Sequence, residues 1–311
     1  SETFKVETDR CEVLVKFGDH HILALRTAYH RELAPHLPLP GLIAAGDGYQ
    51  ILEWIADART LLQMVFDGDE EVGRFYREAM EHLGHLWESP VPTNMQGGVS
   101  GHYGKNRKAE GKLREYLQDG YELPCVINGE DTGLTIRTIF DATLAALGTT
   151  VPYPSATHGD PRLDNVLVGS NRGIVFIDAR PGFCDWVDDL ALAAWQRGFR
   201  IVECMTTPQL TRGPKSLEIT HETRWPAVVD AMEVDGLRIA TQCADANGDR
   251  SWQRRYYLTV AACALREIVS IRRRRTLGAL GRELPEGAEG FWITEAIKYY
   301  RLATEASSGG G

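Results

Sequence analysis

One segment constrains this chain more than any other: His158-Gly159-Asp160-Pro161-Arg162-Leu163-Asp164-Asn165, running into Val166-Leu167-Val168 and, past a turn, into Ile174–Ile177 and Asp178. Glycine and proline punctuate tight turns, and the two apolar runs read as a short strand–turn–strand unit. Two carboxylates, Asp160 and Asp178, therefore bracket a hairpin, with the Asn165 amide and the Arg162 guanidinium beside the first of them. Phosphoryl transfer from a nucleotide uses these same types: a carboxylate to orient the accepting hydroxyl, hard oxygen ligands for magnesium, and cations on the phosphates. Gly, Asp, Pro and Asn also populate ordinary surface turns, and composition alone favours that plainer reading.

The 311 residues predict one large domain or two. A composition of 43% hydrophobic and 25% charged residues is enough for a substantial core. The net charge of −9 argues against a protein that grips phosphate backbones. The basic run Arg272–Arg275 ends a predicted helix, where cations meet the negative end of its dipole, and has no interleaved aromatics. No nucleic-acid partner is expected. The longest apolar runs, Leu190–Trp195 and Val260–Leu265, fall far short of the ~18 residues of a membrane span. Glu2, Lys5, Glu7, Asp9 and Arg10 interrupt what a signal peptide would need. A soluble, cytoplasmic protein is the expectation. The six cysteines show no C-x-x-C spacing, so most read as small buried hydrophobes, and His20-His21 lack a third metal ligand nearby.

Phe4–Phe17 alternates in two runs around Thr8-Asp9-Arg10, a hairpin signal. Ile22–Leu33 reads as a helix closed by Pro35, Pro38 and Pro40, and Gly41–Ala45 and Gln50–Ile55 as strands around Gly46-Asp47-Gly48. Val72, Phe75, Tyr76, Ala79, Met80, Leu83 and Leu86 mark Asp69–Glu88 as an amphipathic helix. Residues 105–119 and 134–148 are further helical candidates. Helices resume from Leu190, clearest over Trp252–Arg275 and Phe291–Thr304. The plan is a strand-rich lobe over 1–55, a connector near Glu53–Asp57, a helical lobe over 56–306, and a tail, 307–311, that reads as a flexible linker or expression remnant.

The order H-G-D-x-x-x-x-N, apolar strand, turn, second strand, Asp resembles the aminoglycoside phosphotransferase-like small-molecule kinases, relatives of protein kinases with H-R-D-x-x-x-x-N at that place. The resemblance covers residues 1–200 well and implies an α+β, two-lobed protein-kinase-like fold with a small strand-rich N-lobe and a large helical C-lobe. It implies Asp160 as catalytic base, Asn165 and Asp178 as magnesium ligands, and Arg162 where many kinases place a lysine near the transferred phosphate. Lys16, closing Val13-Leu14-Val15, resembles the strand lysine that holds the α- and β-phosphates, and Glu32 its ion-pair partner on the next helix. Glu32 shares a helix face with Leu25, Ala28 and Tyr29. Glu53, Trp54 and Ile55 look like the hinge that receives adenine, with Trp54 either pocket wall or core. Gly182-Phe183-Cys184-Asp185 and Asp188-Asp189-Leu190-Ala191 resemble the segments that follow the metal-binding Asp. Asp185 is expected to tie down the catalytic loop and Asp189 to cap the next helix.

Two departures stand out. Relatives begin with a strand and a phosphate-covering loop, which are expected to be missing here because Ser1 falls about where that loop ends. Ala179 stands where Phe or Trp commonly follows the metal-binding Asp. The resemblance implies an ATP–Mg²⁺-dependent phosphotransferase acting on a hydroxyl of an aminoglycoside, amino alcohol or sugar. The competing reading is a catalytically impaired, nucleotide-binding or regulatory relative. The acceptor site is expected against residues 100–120 and 195–300, with Asp185, Asp188, Glu203 and Glu267 as acidic candidates. Excess acid tilts the expectation toward a cationic acceptor.

Overall fold

The computed structural model describes residues 2–9, 11–89, 101–147, 153–170, 173–180, 183–195, 209–220, 227–276, 287 and 289–308. They form two compact units. One takes the described residues of Ser1–Gly98, Tyr153–Ala193 and Ala231–Asn247; the other takes those of Val99–Pro152, Ala194–Asp230 and Gly248–Gly311.

The first unit opens with β1 (Glu2–Glu7), β2 (Glu12–Phe17), helix α1 (His20–Leu33), β3 (Leu42–Gly46) and β4 (Tyr49–Glu53). The strands make an antiparallel sheet in the order β1-β2-β4-β3. Register fixes which side chains share a face: Leu14 lies opposite Leu52 and Lys16 opposite Gln50. Because strand side chains alternate, these four point one way and Val13 and Val15 the other. Asp19 starts α1 by accepting a hydrogen bond from Ile22 N at 3.1 Å. Gln50 Nε2 then donates to Thr27 Oγ1 at 2.7 Å, which pins the helix to the sheet.

Next come β5 (Arg59–Thr60), α2 (Leu61–Asp67) and α3 (Val72–Glu88). The predicted stripe on α3 is buried at Val72, Tyr76, Ala79, Met80, Leu83 and Leu86, while Phe75 is half-buried. Later segments return to this unit as β8 (Pro154–Ala156), β9 (Val166–Gly169), β10 (Gly173–Phe176), β11 (Phe183–Asp185) and α6 (Trp186–Ala194). Strands β10, β9 and β5 form one sheet, and β11 pairs with β8. Helix α7 (Ala227–Asn247) approaches α3 so closely that a Cβ on Gly84 would lie 3.2 Å from Ile239 Cγ2.

The second unit holds α4 (Gly101–Leu117), α5 (Ile136–Leu147), α8 (Trp252–Thr276) and α9 (Glu289–Ser308). Tyr256 and Tyr299 meet edge to face with ring centroids 6.3 Å apart. A buried ion pair, Arg255 Nη2 to Asp249 Oδ2 at 2.7 Å, ties the first turn of α8 to the segment that precedes it. Arg272 of the basic run pairs with Glu289 Oε1 at 3.1 Å, which joins α8 to α9.

Helices alone are expected from Leu190 onward, yet β12 (Gln209–Arg212) and β13 (Leu217–Thr220) join β6 (Cys125–Ile127) and β7 (Glu130–Asp131) in a sheet of order β12-β13-β6-β7, with β13 and β6 parallel. Strands of two to four residues carry too few alternations to stand out, and only the buried Leu217 and Ile219 give a period-two signal. Ser307, expected in a flexible tail, sits in the last turn of α9 and accepts from Arg254 Nε at 2.8 Å. Cys125, Cys243 and Cys263 are buried, Cys184 is half-buried and Cys11 exposed; Cys204 lies outside the described residues. Among the described residues no helix is long and apolar enough to cross a membrane.

Candidate active site

Within the first unit a cavity of about 420 Å³ opens against the Leu14–Lys16–Gln50–Leu52 face of the sheet. Leu167 of β9 and Phe176 of β10 also line it, so an apolar slot sits beside one charged end. Glu53, Trp54 and Ile55 contribute to the wall. Strand β4 ends at Glu53, whose N–H donates to Gly41 O at 2.8 Å. Trp54 is a wall residue, half-buried, with Lys5 Nζ 5.0 Å from its ring centre.

The charged end is an ion pair between Lys16 and Asp178. Lys16 is 8% exposed on the strand. Burial alone would raise the Asp178 carboxyl, but the charge and hydrogen bond of Lys16, followed by Arg26 and Arg180, hold it below the usual carboxylate range. Asp178 adopts φ 56°, a left-handed conformation uncommon for a side-chain-bearing residue and concentrated at functional sites. Ile177 N donates to Asn165 O at 2.9 Å and Phe176 N to Pro38 O at 2.8 Å, which fixes the chain leading into Asp178.

The catalytic-type loop is held from three directions. Asp189 Oδ2 accepts from His158 N at 2.6 Å and Trp87 Nε1 at 3.3 Å, while Oδ1 accepts from Gly159 N at 2.8 Å. Burial pushes the Asp189 carboxyl up to about 7, against the three N–H donors that favour its charge. Tyr29 of α1 donates its hydroxyl to Thr157 O at 2.6 Å. Arg180 N donates to His158 O at 2.8 Å. Only glycine fits at 159, because φ is +80° and a Cβ would meet Arg180 O at 2.7 Å. His158 packs its ring 5.5 Å from Phe176, and burial lowers it to about 4, so it stays neutral and structural.

Asp160 is 4% exposed and meets two guanidiniums: Arg162 Nε lies 2.9 Å from Oδ1 and Arg180 Nη2 2.7 Å from Oδ2. Asn165 Nδ2 donates to Asp160 O at 2.9 Å, which commits the nitrogen and leaves the amide oxygen for other use. Among the described residues no three His, Cys, Asp or Glu side chains gather as a metal cage. An amide oxygen and a carboxylate nevertheless suit magnesium, which takes one or two protein oxygens and completes its shell with phosphates and water.

The structure brings Lys16, Glu53, Trp54, Ile55 and Asp178 around one cavity, and Asp160, Arg162 and Asn165 into one loop. It does not bring Glu32 in. Glu32 is exposed, and Lys16 pairs with Asp178 instead. Of the residues that share its helix face, Leu25 is 53% exposed and Ala28 is exposed, while Tyr29 at the edge of that face is buried. Asp189, expected to cap the next helix, instead secures the loop, and Asp185 accepts from Val187 N at 3.3 Å at the start of α6. Asp185 and Asp188 are buried in the first unit and Glu267 half-buried in the second; Gly182 and Glu203 lie outside the described residues. Arg26, Arg180, Leu14 and Leu167 were not singled out from sequence. Leu14 was within reach, being two residues before Lys16 on the same strand face.

Asp189→Asn is expected to cost about 2–4 kcal/mol of stability. The amide would turn an N–H toward at least one buried N–H donor now accepted by carboxylate oxygen. Denaturant titration checks this, and a change under 1 kcal/mol would mean that Asp189 does not hold the loop.

No protein-family model matches the sequence, and no curated protein matches it significantly. Solved structures do match. A choline/ethanolamine kinase family protein from Mesorhizobium loti aligns over 97% of this chain and 93% of its own, with a TM-score of 0.54 and 12% identity. The choline kinase LicA from Streptococcus pneumoniae aligns over 96% and 89%, with a TM-score of 0.52 and 12% identity. The fold is protein-kinase-like. APH(2″)-IIa in its gentamicin complex shares this kinase-like fold, covering 96% of this chain and 90% of its own at a TM-score of 0.53 and 13% identity.

Proposed function

We propose that this protein is an ATP–Mg²⁺-dependent phosphotransferase acting on a hydroxyl of a small molecule. The observation that carries the reading is the Lys16–Asp178 ion pair at the charged end of an apolar cavity, on the hairpin that follows the Asp160 loop. A nucleotide base fits the apolar slot at the Glu53–Ile55 end, and its phosphates would then reach Lys16. Asn165 and Asp178 would hold the metal, which when bound neutralises phosphate charge. Asp160 accepts the proton of the acceptor hydroxyl, and Arg162, at 2.9 Å from it, keeps the carboxylate oriented and faces the transferred group. The acceptor classes are supported by the kinds of kinase named among the structural neighbours: choline and ethanolamine kinases, and a gentamicin-bound relative. Those acceptors carry cationic nitrogen, in keeping with the excess acid of the chain.

A second reading, nucleotide binding without transfer, draws on the engagement of both Asp160 oxygens by guanidiniums. One experiment separates the two. ADP release is followed with ATP, Mg²⁺ and a panel of choline, ethanolamine, gentamicin and neutral sugars. Acceptor-dependent ADP formation is the expected result. Tight ATP binding with no acceptor-dependent turnover supports the second reading, and absence of nucleotide binding removes both.

A further inference from the structure

Helix α1 presents to the cavity a face without a carboxylate. Arg26, Tyr29 and His30 line the cavity, and their spacing puts them on one side of the helix. Glu32, the one acidic residue of α1, lies roughly 120° around the helix from Arg26 and is exposed. Two of the three cavity residues already have tasks. Tyr29 bonds both the carbonyl and the N–H of Thr157, and the His30 ring is bonded to the Pro40 carbonyl. Arg26 has none: it is half-buried, and no described residue makes a hydrogen bond or ion pair with its guanidinium.

The charge of Arg26 nonetheless acts on Asp178, together with that of Lys16. Two cations thus face one carboxylate across a cavity large enough for a ligand. When Asp178 is given over to a metal, Lys16 and Arg26 are left without a counter-charge. Half-buried charge without a partner is unfavourable until an anion arrives. A guanidinium is also a planar fork that matches phosphate oxygens in pairs.

We propose that Arg26 binds the polyphosphate of the nucleotide from α1, beside Lys16, so that this helix grips the ligand directly instead of bracing the lysine through a carboxylate. The inference rests on the nucleotide reading of the cavity and adds the residue that favours triphosphate over less charged forms.

The test is calorimetric binding of ATP, ADP, AMP and adenosine, with Mg²⁺, to the wild-type protein, Arg26→Gln and Arg26→Lys. Arg26→Gln should weaken ATP about ten- to a hundredfold, the range for one charged hydrogen-bonding partner, and leave adenosine unchanged. Arg26→Lys should recover part of the loss. The melting temperature of Arg26→Gln should stay near wild type, because no partner is lost. Equal ATP affinity in wild type and Arg26→Gln, or an equal loss for adenosine and ATP, overturns the role of Arg26 and leaves the kinase reading standing. Wild-type protein that binds none of the four ligands overturns both.

Discussion

Asp160→Asn is expected to lower kcat by about 100-fold or more while leaving ATP affinity at or above its wild-type value. The substitution is nearly isosteric, so the loop keeps its path: Asn165 Nδ2 bonds the Asp160 carbonyl, not its side chain. What disappears is the group proposed to take the acceptor proton. The second effect runs the other way for binding. Arg162 and Arg180 lose their shared counter-charge and become freer to meet an anion. The Arg180 side chain is 55% exposed and water can satisfy it, while Arg162 Nε, closed to solvent against Oδ1, can still donate to the amide oxygen, so the fold should lose only about 1 kcal/mol. Steady-state kinetics with the best acceptor, paired with ATP titration, checks both halves. Near-normal turnover would show that Asp160 is not the base.

How far sequence carried these conclusions differs from one element to the next. The Asp160–Asn165 loop and its hairpin were legible because turn residues and apolar strands occur there at fixed, short spacings. Lys16 was placed by the apolar run Val13–Val15 that precedes it on β2, whereas β4 stops at Glu53 and not at Ile55, to which the apolar pattern alone carries it. Glu32 was misplaced for a physical reason. Periodicity tells which residues share a face, and Glu32 does keep company with Leu25, Ala28 and Tyr29, but α1 buries only the Tyr29 edge of that face and turns Leu25, Ala28 and Glu32 to water. The face that packs carries Leu23, Thr27 and Tyr29, two of them polar and satisfied by Gln50 and Thr157. Asp189 was read as a cap because a cap and a tether use the same carboxylate chemistry, and only folding shows that its oxygens reach N–H groups about thirty residues away. The sheet of β6, β7, β12 and β13 joins strands far apart in the chain, which no local pattern reveals.

Asp178→Asn should separate the metal from the rest of the site. It is expected to abolish the Mg²⁺-dependent part of ATP binding and to cut kcat/KM by about 1,000-fold, since metal-held charge neutralisation is a principal contribution to phosphoryl transfer. The protein should still fold. Lys16 is buried, but Asp178 has a side chain 54% exposed, and solvent screening brings the cost of the lost pair nearer 1 kcal/mol than the 3–5 kcal/mol of a fully buried one. Lys16 and Arg26 remain in the cavity, so metal-free ATP should bind the variant no more weakly than it binds the wild type, where Asp178 repels the phosphates. Calorimetry of both proteins with Mg²⁺ and with a chelator gives the four affinities needed. The expected pattern is a large Mg²⁺ enhancement in the wild type and none in the variant. An enhancement of equal size in both would place the metal on other residues and leave Asp178 only as the partner of Lys16.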